Sequence, residues 1–306
     1  MGDRLKNKVA LITGAGRGIG QQIAYSMASE GASIVVNDLP DGSVTSELTD
    51  ICAGNAEKTA TEIRSAGGQA ISYCCDVSDF ESTRAMIDET INAFGALHIL
   101  VNNAAILALG DPWEFSEQEW DEVIGVSLKG TFNCIRHATG VMKNQKWGRI
   151  INCSSISALG TASGTVYGAA KAGVLGLTNS VAWDMRAYNV TCNAIFPQAR
   201  QLLPEREAQA QKIFKSRLDR GQIDSQKEYD RIRKRPSPAA IAPFVSYLAT
   251  DLSEGITGEL FFVRGGKIAV YPKLMPRKEI IKSSEESESF WTLEELIDCV
   301  PDLLSV

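Results

Sequence analysis

Seven short apolar runs punctuate this chain, at Lys8–Thr13, Ser33–Asn37, Ala70–Cys75, His98–Asn102, Arg149–Cys153, Val190–Ile195 and Leu260–Val263, and six of them are continuous rather than alternating. Continuous apolar runs of strand length belong to strands buried on both faces, as in a covered parallel sheet. The stretches between the first six runs are longer and helix-compatible, so strand and helix alternate. That alternation predicts an α/β fold, a doubly wound parallel sheet of about seven strands with helices on both faces. A sheet so enclosed needs abundant apolar material, and 44% of the 306 residues are hydrophobic against 22% charged.

Two segments interrupt the rhythm. Leu39 to Asn55 holds Pro40, Asp41, Gly42, Ser43 and Gly54 and reads as a polar insertion behind the second strand. Residues 201–235 are rich in charge, and a connection that long inside a compact domain is expected to be a substrate-side lid. Residues 1–266 are expected to form one domain and 267–306 a C-terminal extension. The extension ends in Thr292-x-x-Glu295, a capping box opening a helix with Leu293, Leu296, Ile297 and Val300 on one face. Such a stripe calls for a cover, on the same subunit or a neighbour.

The formal net charge of −6 provides no positive field for a phosphate backbone, so nucleic acid is not an expected partner. No apolar run nears the ~18 residues of a membrane span. Met1 to Lys6 leads into a strand without a signal-type apolar region, and Leu304-Ser305-Val306 is neither a peroxisomal nor an ER address. A cytoplasmic location is expected. The 7 cysteines are odd in number, and Cys74, Cys153 and Cys192 sit in strand-like runs without zinc spacing. Free thiols and no metal follow, since His98 and His137 are not paired with other ligands either.

The first strand runs into Thr13-Gly14-Ala15-Gly16-Arg17-Gly18-Ile19-Gly20, with helix-compatible sequence behind it. Glycines here let the chain turn sharply, let the backbone approach a pyrophosphate and let the helix pack hard on the sheet, while the helix N-terminus offers N–H groups to the phosphates. Gly14, Arg17, Gly18, Ile19 and Gly20 are therefore candidate cofactor residues of a Rossmann-type site. Asp38 closes the second strand, where a carboxylate accepts hydrogen bonds from the adenosine ribose 2′-hydroxyl and repels a 2′-phosphate. NAD is thus favoured over NADP, although Arg17 would suit the phosphate. Asp76 and Val77 follow the third strand at the position for adenine, with a helix N-cap as the competing role for Asp76.

Tyr167 and Lys171 lie four residues apart in a helical segment, Thr165 to Arg186, so both face one side. Upstream, Asn152-Cys153-Ser154-Ser155 brings hydroxyls to the C-terminal edge of the sheet, where open α/β sheets bind ligands. Oxidising a secondary alcohol needs a base for the hydroxyl proton while hydride leaves for a nicotinamide, and a phenol of pKa ~10 is a poor base. An ammonium one turn away is expected to lower that pKa, making Tyr167 the acid or base, with Lys171 also binding the nicotinamide ribose and Ser155 orienting the substrate oxygen.

Together these residues resemble the short-chain dehydrogenase/reductase family. The resemblance covers residues 6 to 266 and rests on the glycine loop, Asn102-Asn103-Ala104-Ala105, the serine ahead of Tyr167-x-x-x-Lys171, and Pro197 after the sixth strand. It implies cofactor contacts at Asn103, Ala104, Ala105 and Pro197 and a homodimer or homotetramer built on the helices holding Ser127 and Tyr167. Within the family, Val36-Asn37-Asp38-Leu39 with its insertion, Leu260 to Ile268 and the tail look most like the (3R)-hydroxyacyl-CoA dehydrogenase unit of peroxisomal multifunctional enzyme type 2 and its free-standing bacterial relatives. There are departures. The family's catalytic asparagine falls on Ser127, in a helix opened by a Ser116-x-x-Glu119 capping box. Its hydroxyl either joins a water relay to Lys171 or bonds its own helix. Ser155 and Tyr167 are twelve residues apart, one fewer than expected, so that Ser154 competes for the serine's role. Gln198 and Gln201 replace a glycine and a threonine.

Between Lys212 and Arg235 stand nine Lys or Arg and four acidic residues. They form either a solvated helix face or a basic lip, with Arg231, Arg233 and Arg235, for the phosphates of a coenzyme A ester. Leu107, Leu109, Trp113 and Phe196 are candidate apolar walls. The expected activity is NAD-dependent interconversion of a secondary alcohol and ketone, on a 3-hydroxyacyl-CoA or similar bulky substrate. A hydroxysteroid or cyclic-alcohol dehydrogenase is the alternative, and a catalytically weak NAD-binding subunit or sensor is the alternative of another class.

Overall fold

The computed structural model describes residues 2–40, 55–161, 164–200, 215–216, 218–221, 234–273, 278, 280 and 291–304. Eight strands form one sheet: β1 (Val9–Ile12), β2 (Ser33–Asp38), β3 (Gln69–Cys74), β4 (Ile99–Asn102), β5 (Gly148–Cys153), β6 (Val190–Pro197), β7 (Leu260–Arg264) and β8 (Lys267–Val270). Their order is β3-β2-β1-β4-β5-β6-β7-β8, parallel throughout except for the antiparallel β7–β8 hairpin. The eighth strand is one more than the sequence reading expects. Lys267-Ile268-Ala269-Val270 is short and lies at a sheet edge, so the signature of burial on two faces is missing from it.

The helices are α1 (Gly18–Ser29), α2 (Ala56–Ser65), α3 (Phe80–Phe94), α4 (Glu117–Ile124), α5 (Gly130–Gln145), α6 (Thr165–Asp184) and α7 (Ala242–Leu248). Successive strand side chains point to opposite faces. Ala10, Ile12, Ile34, Val36, Ile99 and Val101 therefore pack on Ile23 and Met27 of α1 and Val245 and Leu248 of α7. Leu11, Val35, Leu100 and Ile150 meet Met86 and Ile87 of α3 and Cys134, Ala138 and Met142 of α5 on the other face. Both parities of one strand are buried, which is the physical reason its sequence does not alternate.

The strand order reverses between β1 and β4, and the crevice at that switch point opens at the C-terminal ends of the strands. The chain divides into two units, residues 1–271 and 272–306. The first includes β8, so the sheet runs past Gly266, where the sequence reading ended the domain. In the second, α8 (Leu293–Leu304) is opened by the expected capping box: Thr292 N donates to Glu295 Oε2 at 2.8 Å and Glu295 N to Thr292 Oγ1 at 3.3 Å. Residues 41–54 of the polar insertion, and nearly all of the lid from 201 to 233, lie outside the described residues.

Candidate active site

The turn from β1 to α1 is held by Thr13 together with the segment that follows β4. Thr13 Oγ1 accepts from the backbone N–H groups of Asn103 and Ala104, both at 3.0 Å, and Asn103 Nδ2 donates to the carbonyls of Thr13 and Gly14 at 3.0 and 2.9 Å. Asn103 thus fixes the loop through its side chain, with Ala104 and Ala105 half-buried beyond it. A Cβ on Gly20 would lie 2.4 Å from Gly14 O, and one on Gly14 2.9 Å from Ala104 Cα, so both positions are closed by packing. Gly18, with φ +60°, has nothing within 4 Å of its Cβ position. The N-terminus of α1 has no side-chain cap and no acidic residue in its first turn. An uncapped helix end behind an open glycine is the arrangement that accepts a pyrophosphate.

Asp38, at the end of β2, is 5% exposed and accepts from Gly16 N and Leu39 N, each at 2.9 Å. It therefore closes the glycine loop, in which Arg17 is half-buried. Asp79, not Asp76, caps α3, by accepting from Ser82 N at 2.6 Å. The N-cap role is thereby removed from Asp76, whose exposed carboxylate accepts from Ser78 N at 2.8 Å, while Val77 is buried.

Ser155, Tyr167 and Lys171 come together at the C-terminal edge of β5. Ser154 is buried and donates to Lys171 O at 2.8 Å, so its hydroxyl is engaged in packing α6 on the strand. Ser155 Oγ accepts from Ser157 N at 3.2 Å and acts on the Tyr167 phenol. Lys171, 2% exposed, donates from Nζ to Cys153 O at 2.7 Å and stands 5.7 Å from the Tyr167 ring centre. Burial acts oppositely on the pair: it pushes the phenol up to about 12 and brings the ammonium down to about 8. The sequence reading expects the ammonium to lower the phenol. In the structure the groups that pull the phenol back are Ser155 and Arg235.

Ser127 lies in a π-helical turn, Gly125–Lys129, between α4 and α5. Its hydroxyl is completely buried and bridges the backbone of Ile106, accepting from the N–H and donating to the carbonyl, both at 3.3 Å. It bonds neither its own helix nor Lys171, and its carbonyl accepts from Thr131 Oγ1 at 3.1 Å. Of the two roles drawn from sequence, the bond to its own helix is therefore replaced by a clamp on the segment after β4. Such bulges concentrate at functional sites.

On the substrate side, Ile106, Ala108, Val123, Val166 and Ala170 form an apolar cluster against which Tyr167 and Phe115 pack. Two expected walls fall elsewhere: Phe196 is fully buried, edge-on to Tyr271 at 5.3 Å, and Trp113 is 81% exposed. Leu107 and Leu109 are half-buried, as is Pro197, which ends β6. Arg231 and Arg233 lie outside the described residues, and Gln201 does too; Gln198 donates from its backbone to Val263 O at 2.8 Å. Of the three arginines of the expected lip, Arg235 alone is among the described residues. It is half-buried, with its Nε fully enclosed, and its guanidinium is within electrostatic reach of Tyr167 and Arg264. Sequence could not show this, because the placement depends on how the end of the lid crosses the sheet edge. His98 and His137 have structural partners, accepting from Val9 N at 3.1 Å and meeting Phe80 O at 3.1 Å. Among the described residues no group of three His, Cys, Asp or Glu side chains could hold a metal ion.

Known proteins resemble this chain in sequence and fold. A family model described as short chain dehydrogenase matches residues 8–201. The chain is 34% identical over 268 residues to (2S)-[(R)-hydroxy(phenyl)methyl]succinyl-CoA dehydrogenase subunit BbsD of Thauera aromatica, covering 86% of this chain and 97% of that one. It is 37% identical over 268 residues to 3-oxoacyl-[acyl-carrier-protein] reductase FabG of Staphylococcus aureus, with 85% and 97% covered. A solved short chain dehydrogenase from Mycobacterium avium superposes with a TM-score of 0.79 at 33% identity, covering 98% of this chain and 95% of that chain. The protein belongs to the short-chain dehydrogenase family of oxidoreductases, which bind a nicotinamide cofactor.

Proposed function

We propose that this chain interconverts a secondary alcohol and its ketone with NAD, on a 3-hydroxyacyl thioester such as a coenzyme A ester. The observation that carries the reading is the meeting of Ser155, Tyr167 and Lys171 at the strand edge beside an uncapped helix N-terminus. When bound, the nicotinamide supplies the acceptor or donor of hydride. In the oxidising direction Tyr167 Oη takes the hydroxyl proton and Ser155 holds the same oxygen, which becomes the carbonyl as the carbinol hydrogen leaves with its electron pair. In reverse, the phenol is the acid. With its pKa held at about 12 it is protonated at neutral pH and ready to donate to a ketone oxygen. Lys171 has one of its three N–H donors on Cys153 O, leaving two for the nicotinamide ribose.

Asp38 supports NAD, since a second anion beside a buried carboxylate is disfavoured. Thioesters are supported by the relatives, whose names carry a coenzyme A ester and an acyl-carrier-protein ester. Ser127 acts as a positioning residue through Ile106. We also assign a second copy of this chain to the face where Ile124, Leu128, Phe132, Gly173 and Leu177 line a groove of about 470 Å³, giving a homo-oligomer.

The test is NADH formation across matched alcohols, CoA thioesters and steroids with NAD and NADP. Tyr167→Phe should lower turnover by roughly 10³-fold, the scale of acid–base catalysis, with dinucleotide binding intact. Undiminished turnover would leave a dinucleotide-binding protein without this mechanism, and equal or better efficiency with NADP would overturn the NAD assignment.

A further inference from the structure

Three arginine-bearing segments, at 200, 235 and 264, meet at the C-terminal edge of β6 and β7. Arg264 ends β7 and donates from Nη2 to Lys234 O at 3.1 Å, while Arg200 N donates to Pro236 O at 2.8 Å. These bonds fasten the segment 234–236 across the strand ends, with Pro236 also packed near Gly265, whose φ is +53°. The segment therefore holds Arg235 in a set place. Its Nε is buried and has no hydrogen-bond partner among the described residues. Leaving a charged donor buried and unbonded costs more than leaving a neutral one, and native structures keep such groups where something binds them. The described groups acting on this guanidinium are a like charge, Arg264, and the Tyr167 phenol; no carboxylate is among them. A buried, unbonded guanidinium N–H, on a side chain that feels the reacting phenol and no carboxylate among the described groups, is suited to an anion on the substrate side.

We propose that Arg235 binds a carboxylate carried by the substrate near its carbinol carbon, so that the protein acts on an acidic hydroxyacyl compound rather than a plain fatty one. A guanidinium offers parallel N–H donors matched to the two oxygens of a carboxylate, which a lysine does not. The anion is placed at the chemistry rather than at the phosphates of coenzyme A. This deepens the proposed dehydrogenase reading and rests on it.

The test compares two pantetheine thioesters that lack the coenzyme A phosphates: one of a 3-hydroxy acid with a second, free carboxylate, and its methyl ester. Wild-type protein should prefer the free acid by roughly 30-fold in kcat/KM, the scale of one charge-assisted contact. In Arg235→Gln the preference should fall to within about threefold, through loss of turnover on the acid. Arg235→Lys should recover only part of it. A simple dicarboxylate should compete with the methyl ester in wild type and not in Arg235→Gln. Thermal unfolding of each variant identifies a folding defect, in which case the dicarboxylate competition in the Lys variant decides. Equal use of the two thioesters by wild type overturns the carboxylate site while leaving the dehydrogenase reading standing. Failure to oxidise either one, with Tyr167→Phe unchanged from wild type, overturns that reading instead.

Discussion

Lys171 and Tyr167 titrate in opposite directions because the same apolar surroundings disfavour both charged forms. For the lysine, brought from 10.5 down to about 8, the consequence is a linkage to stability. Below the folded value both states carry the proton and burying the charge is a constant penalty. Between the two values the unfolded chain binds a proton that the folded one does not, so wild-type stability rises with pH. Lys171→Met, which does not titrate, should therefore exceed wild type in urea midpoint at about pH 7, with the gap narrowing by about pH 9.5. A gap independent of pH would contradict it. For the phenol the sign matters for direction: oxidation by an unprotonated Tyr167 should climb with pH, while reduction stays level until that proton is lost. Gly14, Gly20, Asp38, Tyr167 and Lys171 were legible in the sequence because spacing along one strand, turn or helix sets their relations. The surroundings of Arg235 were not, since Tyr167 and Arg264, which act on its guanidinium, come from distant segments. Nor was the bond from Ser127 to Ile106, which spans a loop and a π turn.

At the scale of elements, α6 is tied to the sheet by a buried polar chain. Asn102 Nδ2 donates to Asn152 Oδ1 at 2.8 Å, Asn152 Nδ2 to Thr178 Oγ1 at 2.9 Å, and Thr178 Oγ1 to Val174 O at 2.7 Å. It links β4 and β5 to the helix that carries Tyr167 and Lys171 one to three turns upstream. Asn152→Ala removes the middle member, leaving an amide and a hydroxyl buried with fewer partners. That should cost about 1–3 kcal/mol of unfolding free energy, measured in urea, and lower kcat more than it raises KM. A change under about 0.5 kcal/mol would show that water replaces the lost amide. The strands themselves were legible because burial on both faces writes a continuous apolar run, and the α4 cap because Ser116 and Glu119 bond reciprocally, through Ser116 N to Glu119 Oε2 at 2.9 Å and Glu119 N to Ser116 Oγ at 3.2 Å. β8 was not, as an edge hairpin strand lacks that signature.

For the molecule as a whole, the proposed assembly turns on the helical face around the Phe132 groove. Glycines 173 and 176 line the groove on α6, and Phe132 on its opposite wall leaves 44% of its surface exposed, while Trp120 on α4 and Trp183 on α6 leave 44% and 72%. Apolar surface of that kind on one face marks an interface, and the commonest one pairs the same face of two copies about a two-fold axis. The consequence reaches the chemistry, because α6 presents Tyr167 and Lys171 from its opening turns and the π turn with Ser127 leads into α5. An assembly that clamps α5 and α6 also holds the acid, the ammonium and the loop at Ile106. Phe132→Glu places a charge in the groove without touching any of these residues. Light scattering should then show monomers where wild type shows oligomers, and kcat should fall by roughly tenfold with secondary structure unchanged, as small misplacements of reacting groups are costly. Oligomers that persist would mean the copies meet elsewhere. Monomers with full turnover would mean that the sheet alone, through Asn152 and Ser154, is enough to hold the catalytic helix in place.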